Sequence, residues 1–266
     1  RGLISIAGLA QASLTIVAGA AILLSTNFAL SGQWAWTPGG YGVAFGRMLQ
    51  DGIVAQYLRD HCPHQNLKLC PYRDRLPATA DQFLWGNSMF NTLGRFKGLN
   101  DEMKHIVQRS LAEYPARQAQ AALAATAKQL TMAATGEGTN AWIGHTYGII
   151  ERYIPSELKP MRAANQQRWR LDFTEVNYLH VPVALASMLL LAAVLAWRCW
   201  WRGLDDLTWL AATVAFAVLG NALVCAVISG PHDRYGARLA WVATFVVLVA
   251  AIRSLADEDE RNSRPA

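Results

Sequence analysis

The sequence predicts an all-α integral membrane protein: about four transmembrane helices, with an α-helical periplasmic domain between the first and the second. Three observations carry this. Only 16% of the 266 residues are charged and 53% are hydrophobic, where a soluble domain carries about a quarter charged residues. The deficit is concentrated in residues 3–30, 179–197, 207–229 and 239–252, which contain no Asp, Glu, Lys or Arg. The stretch between the first two runs has ordinary soluble composition and helical periodicity, with no convincing alternation of strand type and no repeat of fixed period.

A bilayer core takes about 20 apolar helical residues, so the first three runs are long enough to span it. The first also exceeds the roughly 7–15 apolar residues of a signal peptide and reads as a retained helix. The fourth is short between its arginines; it spans if 235–239 is already helical and Arg238 snorkels to the interface. Because the chain begins with Arg1 rather than Met, it is expected to be a portion of a longer protein with further helices upstream. The organisation predicted is a transmembrane helix at 1–31, a periplasmic helical domain at 32–177, three transmembrane helices at 178–256 and an acidic cytoplasmic tail at 257–266.

Orientation follows from Lys and Arg in short loops. Arg1, Arg198, Arg202, Arg253, Arg261 and Arg264 fall on one side, Arg234 and Arg238 on the other. The first side is therefore expected to be cytoplasmic, N-in and C-in. Cysteine use agrees. Cys199 and Cys225 read as inert small apolar residues, whereas Cys62 and Cys70, in "DHCPHQNLKLCPYRD", read as a disulfide-closed loop in an oxidising compartment. The alternatives are unpaired thiols or a metal held by His61, Cys62, His64 and Cys70, whose spacing matches no closed tetrahedral pattern. No metal site and no cofactor are expected.

Within 32–177, "GVAFGRMLQDGIVAQYLRDHC" (42–62) reads as one amphipathic helix. "TADQFLWG" offers Thr79 and Gln82 at capping-box spacing. "NDEMKHIVQRSLAEYP" has Asn100 as an N-cap before Ile106, Val107 and Leu111. Pro115 suits the first turn of an Ala-rich helix running to about Ala134 and stopped by "TGEGTN". A last helix is expected from about Ser156 to Phe173, with Pro160 in its early turns. Trp34, Trp36 and Tyr41 fit an interfacial aromatic belt, and "AWRCWWRG" repeats that anchor at the opposite face. "TPGGYG" is a turn-rich break that lacks the sequel of a phosphate loop.

Two charged motifs are candidates for chemistry. "FGRMLQDG" carries Arg47 and Asp51 four apart, on one helical face where they can pair. "PHDRYGAR" carries His232, Asp233, Arg234, Tyr235 and Arg238 in a reversal built on Pro231 and Gly236. Guanidinium forks suit phosphate and stay charged, so Arg47, Arg234 and Arg238 are candidates to grip a lipid phosphate, with Asp51, Asp233 or His232 as a base if buried. The bland reading is a wet turn and a simple ion pair. Ser-His-Asp order, HExxH, GxSxG, a Walker loop and CxxCH are all lacking. Asn221 reads as helix–helix glue, and Asn177 lies near a helix start.

Taken together, "FGRMLQDGIVAQYLRDHCP", the later "FLWG" and the closing "PHDRYGARLAW" resemble a group of uncharacterised polytopic inner-membrane proteins of proteobacteria. That resemblance covers most of the chain and implies membrane location and a periplasmic domain. A weaker likeness is to membrane-embedded glycosyltransferases that use lipid-phosphate donors; their catalytic acid lies in an early periplasmic loop that would precede Arg1, so no catalytic residue carries over. Two functions are expected from different classes: an accessory or structural subunit of a larger inner-membrane complex, or the C-terminal part of a transferase acting on a lipid-phosphate-linked substrate. Membrane lipids and other membrane subunits are the expected partners, and nucleic acid is not.

Overall fold

The computed structural model describes residues 5–32, 34–37, 40–140, 143–201 and 203–262. Arg1, Arg202 and Arg264 of the orientation count, and Pro38 and Gly39 of the turn-rich break, lie outside them, as do the side chains of Arg261 and the acidic stretch 257–260. Among the described residues the only regular structure is helical, with no strand. Four helices are long and apolar enough to cross a membrane: Ile6–Ser31, Thr174–Trp201, Asp206–Ile228 and Asp233–Ala256. The chain divides into two compact units, 1–115 and 116–266. The boundary falls inside the stretch 32–177 that the sequence suggested as one domain.

The first unit opens with α1 (Ile6–Ser31), whose N-terminus is capped by Ser5 accepting the Gly8 N–H at 3.0 Å. None of its 26 residues is buried. Next come α2 (Gly40–Gln50) and α3 (Ile53–His61), not the single helix expected through 42–62. The break is at Gly52, which adopts φ 73°, a left-handed conformation that glycine reaches without steric cost. α4 (Ala80–Leu84) starts as the capping spacing predicts, with the Thr79 hydroxyl accepting the Gln82 N–H at 3.2 Å. After α5 (Met89–Thr92), α6 runs Arg95–Glu113 from a left-handed Gly94. Asn100 is thus inside α6 and not its cap: the chain is already helical five residues earlier because Gly94 supplies the turn that a polar cap would have made.

The core of this unit is aromatic and branched. Phe45, Ile53, Val54, Tyr57, Leu58, Phe83, Phe90, Leu99, Met103 and Ile106 are all wholly buried, and Phe45, Phe83, Phe90 and Phe96 form a chain of ring contacts with centroids 5.0–5.3 Å apart. Side chains of this size each bury enough apolar surface to contribute about 1.5–3 kcal/mol. Cys62 and Cys70 are joined, with Cα atoms 5.7 Å apart. Both thiols are consumed by the bond, which removes the soft ligands of the metal alternative. The closed loop is tied to α6 through Glu102, whose carboxylate accepts the N–H groups of Lys68 (2.7 Å) and Leu69 (2.9 Å).

In the second unit, α7 (Pro115–Leu130) has proline at its first position, as expected, but ends four residues short of Ala134. α8 (Gly144–Tyr153) went unread in the sequence. The long helix expected over 156–173 is instead a short α9 (Leu158–Ala163) and a 3-10 turn, Asn165–Arg168. An extended Ala164 and a left-handed Trp169 (φ 55°) break it. The membrane-length helices α10 (Thr174–Trp201), α11 (Asp206–Ile228) and α12 (Asp233–Asn262) pack mutually as a bundle. Its seam is built from Leu191, Ala211, Val214, Ala243 and Val246, and a second cluster joins Ala133, Ala184 and Ala240. Small residues let the backbones approach closely. Thr244 donates to Ser187 across α10 and α12 at 2.9 Å, and Asn221 donates to the Tyr235 carbonyl at 3.1 Å, the helix–helix glue its position suggested.

Candidate functional site

The turn between α11 and α12 is held by many side-chain hydrogen bonds. Gly230 turns the chain with φ +113°, and α12 begins at Asp233. The reversal therefore lies before Gly236, which sits in the first turn of the helix and has a different task. A Cβ on Gly236 would stand 1.9 Å from the Met132 carbonyl oxygen, so only glycine admits the backbone of the segment that follows α7.

The end of α7 and that segment, residues 129–140 together, are held by side-chain amides that each make a two-bond pair with a distant backbone unit. Gln129, almost fully buried, donates to the His232 carbonyl and accepts the His232 N–H, both at 2.9 Å. Asn177, in the first turn of α10, accepts the Thr135 N–H at 2.8 Å and donates to the Thr135 carbonyl at 3.0 Å. Asn140 does the same with Leu171, at 3.1 and 2.7 Å. A buried backbone N–H or C=O left without a partner is costly, and these pairs supply one for each such group without a sheet.

The carboxylates complete the clamp. Asp233 accepts the Ala134 N–H at 2.9 Å. Glu137 takes the Arg234 N–H on one oxygen at 3.0 Å and pairs with His232 Nδ1 on the other at 2.7 Å. An anion here meets both an unsatisfied helix N–H and the positive end of the α12 dipole. Partial burial alone would raise the Glu137 pKa; the Arg234 N–H and His232 outweigh it and hold the carboxyl below its usual range. Glu137 is thus a helix cap delivered from 97 residues away.

The charges at the mouth of the turn are arranged around Tyr235. Its hydroxyl shares a hydrogen bond with Ser229 (2.9 Å), and the guanidinium carbons of Arg234 and Arg238 lie 5.2 and 5.8 Å from its ring centroid. His232 meets the same ring edge-on at 5.5 Å. Both arginines are exposed.

In the first unit, Arg47 and Asp51 pair at 2.5 Å with side-chain exposures of 9% and 17%. The structure brings His232, Asp233, Arg234 and Arg238 together within the second unit, and Arg47 and Asp51 together within the first. Gln129, Glu137 and Asn140, which the sequence did not mark, make much of the clamp. Glu137 and Asn140 are marked only by their position after a proline-initiated helix, and Gln129, in its last turn, is an unremarkable residue there. At the other end of the bundle, Asp205 caps α11 by accepting the Thr208 N–H at 2.8 Å and pairs with Arg198. Burial acts to raise its pKa, but Thr208 and Arg198 overcome this and bring it down to about 2. Among the described residues no cluster of His, Cys, Asp and Glu is arranged to hold a metal ion. Comparison of the chain with protein-family models, with curated proteins and with solved structures finds no match.

Proposed function

We propose that this chain is an accessory or structural subunit of a bacterial inner-membrane assembly, N-in and C-in, with residues 32–177 in the periplasm. The observation that carries this reading is α1, an apolar helix of 26 residues with none buried. A membrane helix of that length with small residues along it gains by packing against another helix. The polar clamp supports a structural role too, since Asp233, His232 and Glu137 are engaged in holding residues 129–140 rather than left facing a substrate. The Cys62–Cys70 bond supports the periplasmic placement, because such bonds persist in oxidising compartments.

Two measurements test the reading. Membranes solubilised in polymer nanodiscs should yield the chain with a stoichiometric protein partner; a monodisperse lone chain would refute the subunit assignment. For topology, a membrane-impermeant thiol reagent should label Glu137→Cys and not Asp257→Cys in intact cells. The reverse pattern inverts the protein.

The exposed arginines beside Tyr235 favour a second reading, a transferase that grips a lipid phosphate or pyrophosphate at the start of α12. A point charge does not reproduce a bidentate fork. On this reading Arg234→Lys should lose a bound phospholipid, seen by native mass spectrometry, nearly as completely as Arg234→Ala. Retention of the lipid by both variants leaves only the turn.

A further inference from the structure

A cleft of about 600 Å³ in the first unit is lined by Trp34, Trp36, Tyr41, Asn100, Asp101 and Lys104. Its indole residues are tied to α1. The amide of Asn27, in the last turns of α1, donates to the carbonyls of Ala35 (2.8 Å) and Trp36 (2.9 Å), and Phe28 stacks on Trp34 with centroids 4.6 Å apart and planes 14° from parallel. Residues 34–36 are therefore held against the end of a membrane-length helix, while Trp34 and Trp36 stay 66% and 62% exposed. Indoles serving only as a headgroup-level anchor do not require a polar lining beside them.

The polar part of the lining comes from α6. Oδ1 of Asn100 is buried and has no hydrogen-bond partner among the described residues, although buried amides are ordinarily satisfied. Asp101 and Lys104 follow on the same helix, and the Lys104 ammonium lies 5.5 Å from the Tyr41 ring centroid. One carboxylate and one ammonium cancel in charge. Asp101 offers acceptors and Lys104 donors, and both side chains are exposed.

We infer that this cleft binds a neutral pyranose ring. The electron-rich faces of the indoles complement the weakly positive C–H edges of a sugar, as they do the edges of other rings. The carboxylate and ammonium suit a ring whose hydroxyls both donate and accept. Two alternatives fit worse. Lys104 beside Tyr41 repels the quaternary or primary ammonium that an aromatic cage would take, and Asp101 opposes a bare phosphate. The position at the end of α1 suits the sugar head of a glycolipid, and a free saccharide offers the same chemistry. This inference does not depend on the subunit reading.

The test uses the full chain, extracted in a non-glycosidic detergent and placed in nanodiscs of phosphatidylethanolamine and phosphatidylglycerol. One arm adds a monoglucosyl diacylglycerol to the lipid, and the other adds free maltose to the solution. Saturation-transfer NMR should show transfer to glucosyl C–H protons: in the first arm alone for a glycolipid head, in both for free sugar. Trp36→Ala and Asp101→Ala should each weaken binding about tenfold, the loss of one stacking or hydrogen-bonding contact. Neither should alter the helix content, since both side chains are exposed. Trp201→Ala, an exposed indole at the end of α10, should change nothing. Absence of sugar saturation in both arms overturns the inference. So does a sugar signal indifferent to the two cleft variants, or a Trp36-dependent signal on ethanolamine protons without one on the sugar.

Discussion

The two charged motifs, "FGRMLQDG" and "PHDRYGAR", look alike in composition and behave differently. In the first, Arg47 and Asp51 satisfy each other one helical turn apart and are largely buried. In the second, the chemistry is non-local: Asp233, His232 and the backbone of Arg234 all reach for residues about a hundred positions earlier. A local pair needs only its own helix. A non-local clamp needs another segment delivered at the right place, and so it couples parts of the chain that are remote in sequence.

That contrast can be broken at four points. The largest effect is expected from Arg47→Ala, which leaves a mostly buried carboxylate without its guanidinium and should cost about 3–5 kcal/mol. Thermal unfolding of the detergent-solubilised protein reads this, and a loss under 1 kcal/mol would mean that the pair is solvated. Second, Cys62→Ser with Cys70→Ser should cost about 2–3 kcal/mol through the entropy of the opened loop. A non-reducing peptide map of the parent that finds both thiols unjoined would remove the basis for that figure. Third, Gly236→Ala forces a methyl onto the Met132 carbonyl and should cost about 1–3 kcal/mol, the range of overpacking. Faster proteolysis within 129–140, with the first unit unchanged, is the expected signature; unchanged proteolysis would show that the backbone yields without loss.

The smallest effect is at Glu137. Its pKa is lower in the folded protein than the ordinary 4.5. The unfolded chain therefore binds protons more readily, and the clamp's contribution is complete above about pH 4.5 and fades as pH falls through the depressed folded value. Glu137→Gln should cost about 1–2 kcal/mol at neutral pH and flatten this acid limb. An acid limb equally steep in both proteins would assign it to other carboxylates.

Much of the fold was legible because membrane-length helices declare themselves by length and missing charge, which need no tertiary information. The Thr79 cap and the Pro115 start were legible for a similar reason: they are contacts within one turn. Asn100 misled because its cap-like neighbours, Asp101 and Glu102, are acids for other reasons; Glu102 binds the disulfide loop and Asp101 lines the cleft. The break at Gly52 was hidden in a sound amphipathic pattern that α2 and α3 share. At the candidate sites, the sequence pointed to the residues of the turn and missed Gln129, Glu137 and Asn140. Amide-to-backbone pairs leave no spacing signature, because the partner is a main-chain unit that any residue type provides.

The Glu137 cap has a consequence for the order in which the molecule can be completed. A ribosome releases residues 129–140 well before it makes 230–236, so the carboxylate and the Gln129 amide exist before the helix start they will serve. α12 is the last membrane-length helix in the described chain, and its first N–H groups have no carbonyl of their own to bind. Arrival of that helix is what closes the clamp. A chain stopped at Ser229 could already pair Thr135 with Asn177 and Asn140 with Leu171, but the Gln129 amide, the Ala134 N–H and the Glu137 carboxylate would have nothing to receive them until the reversal arrives.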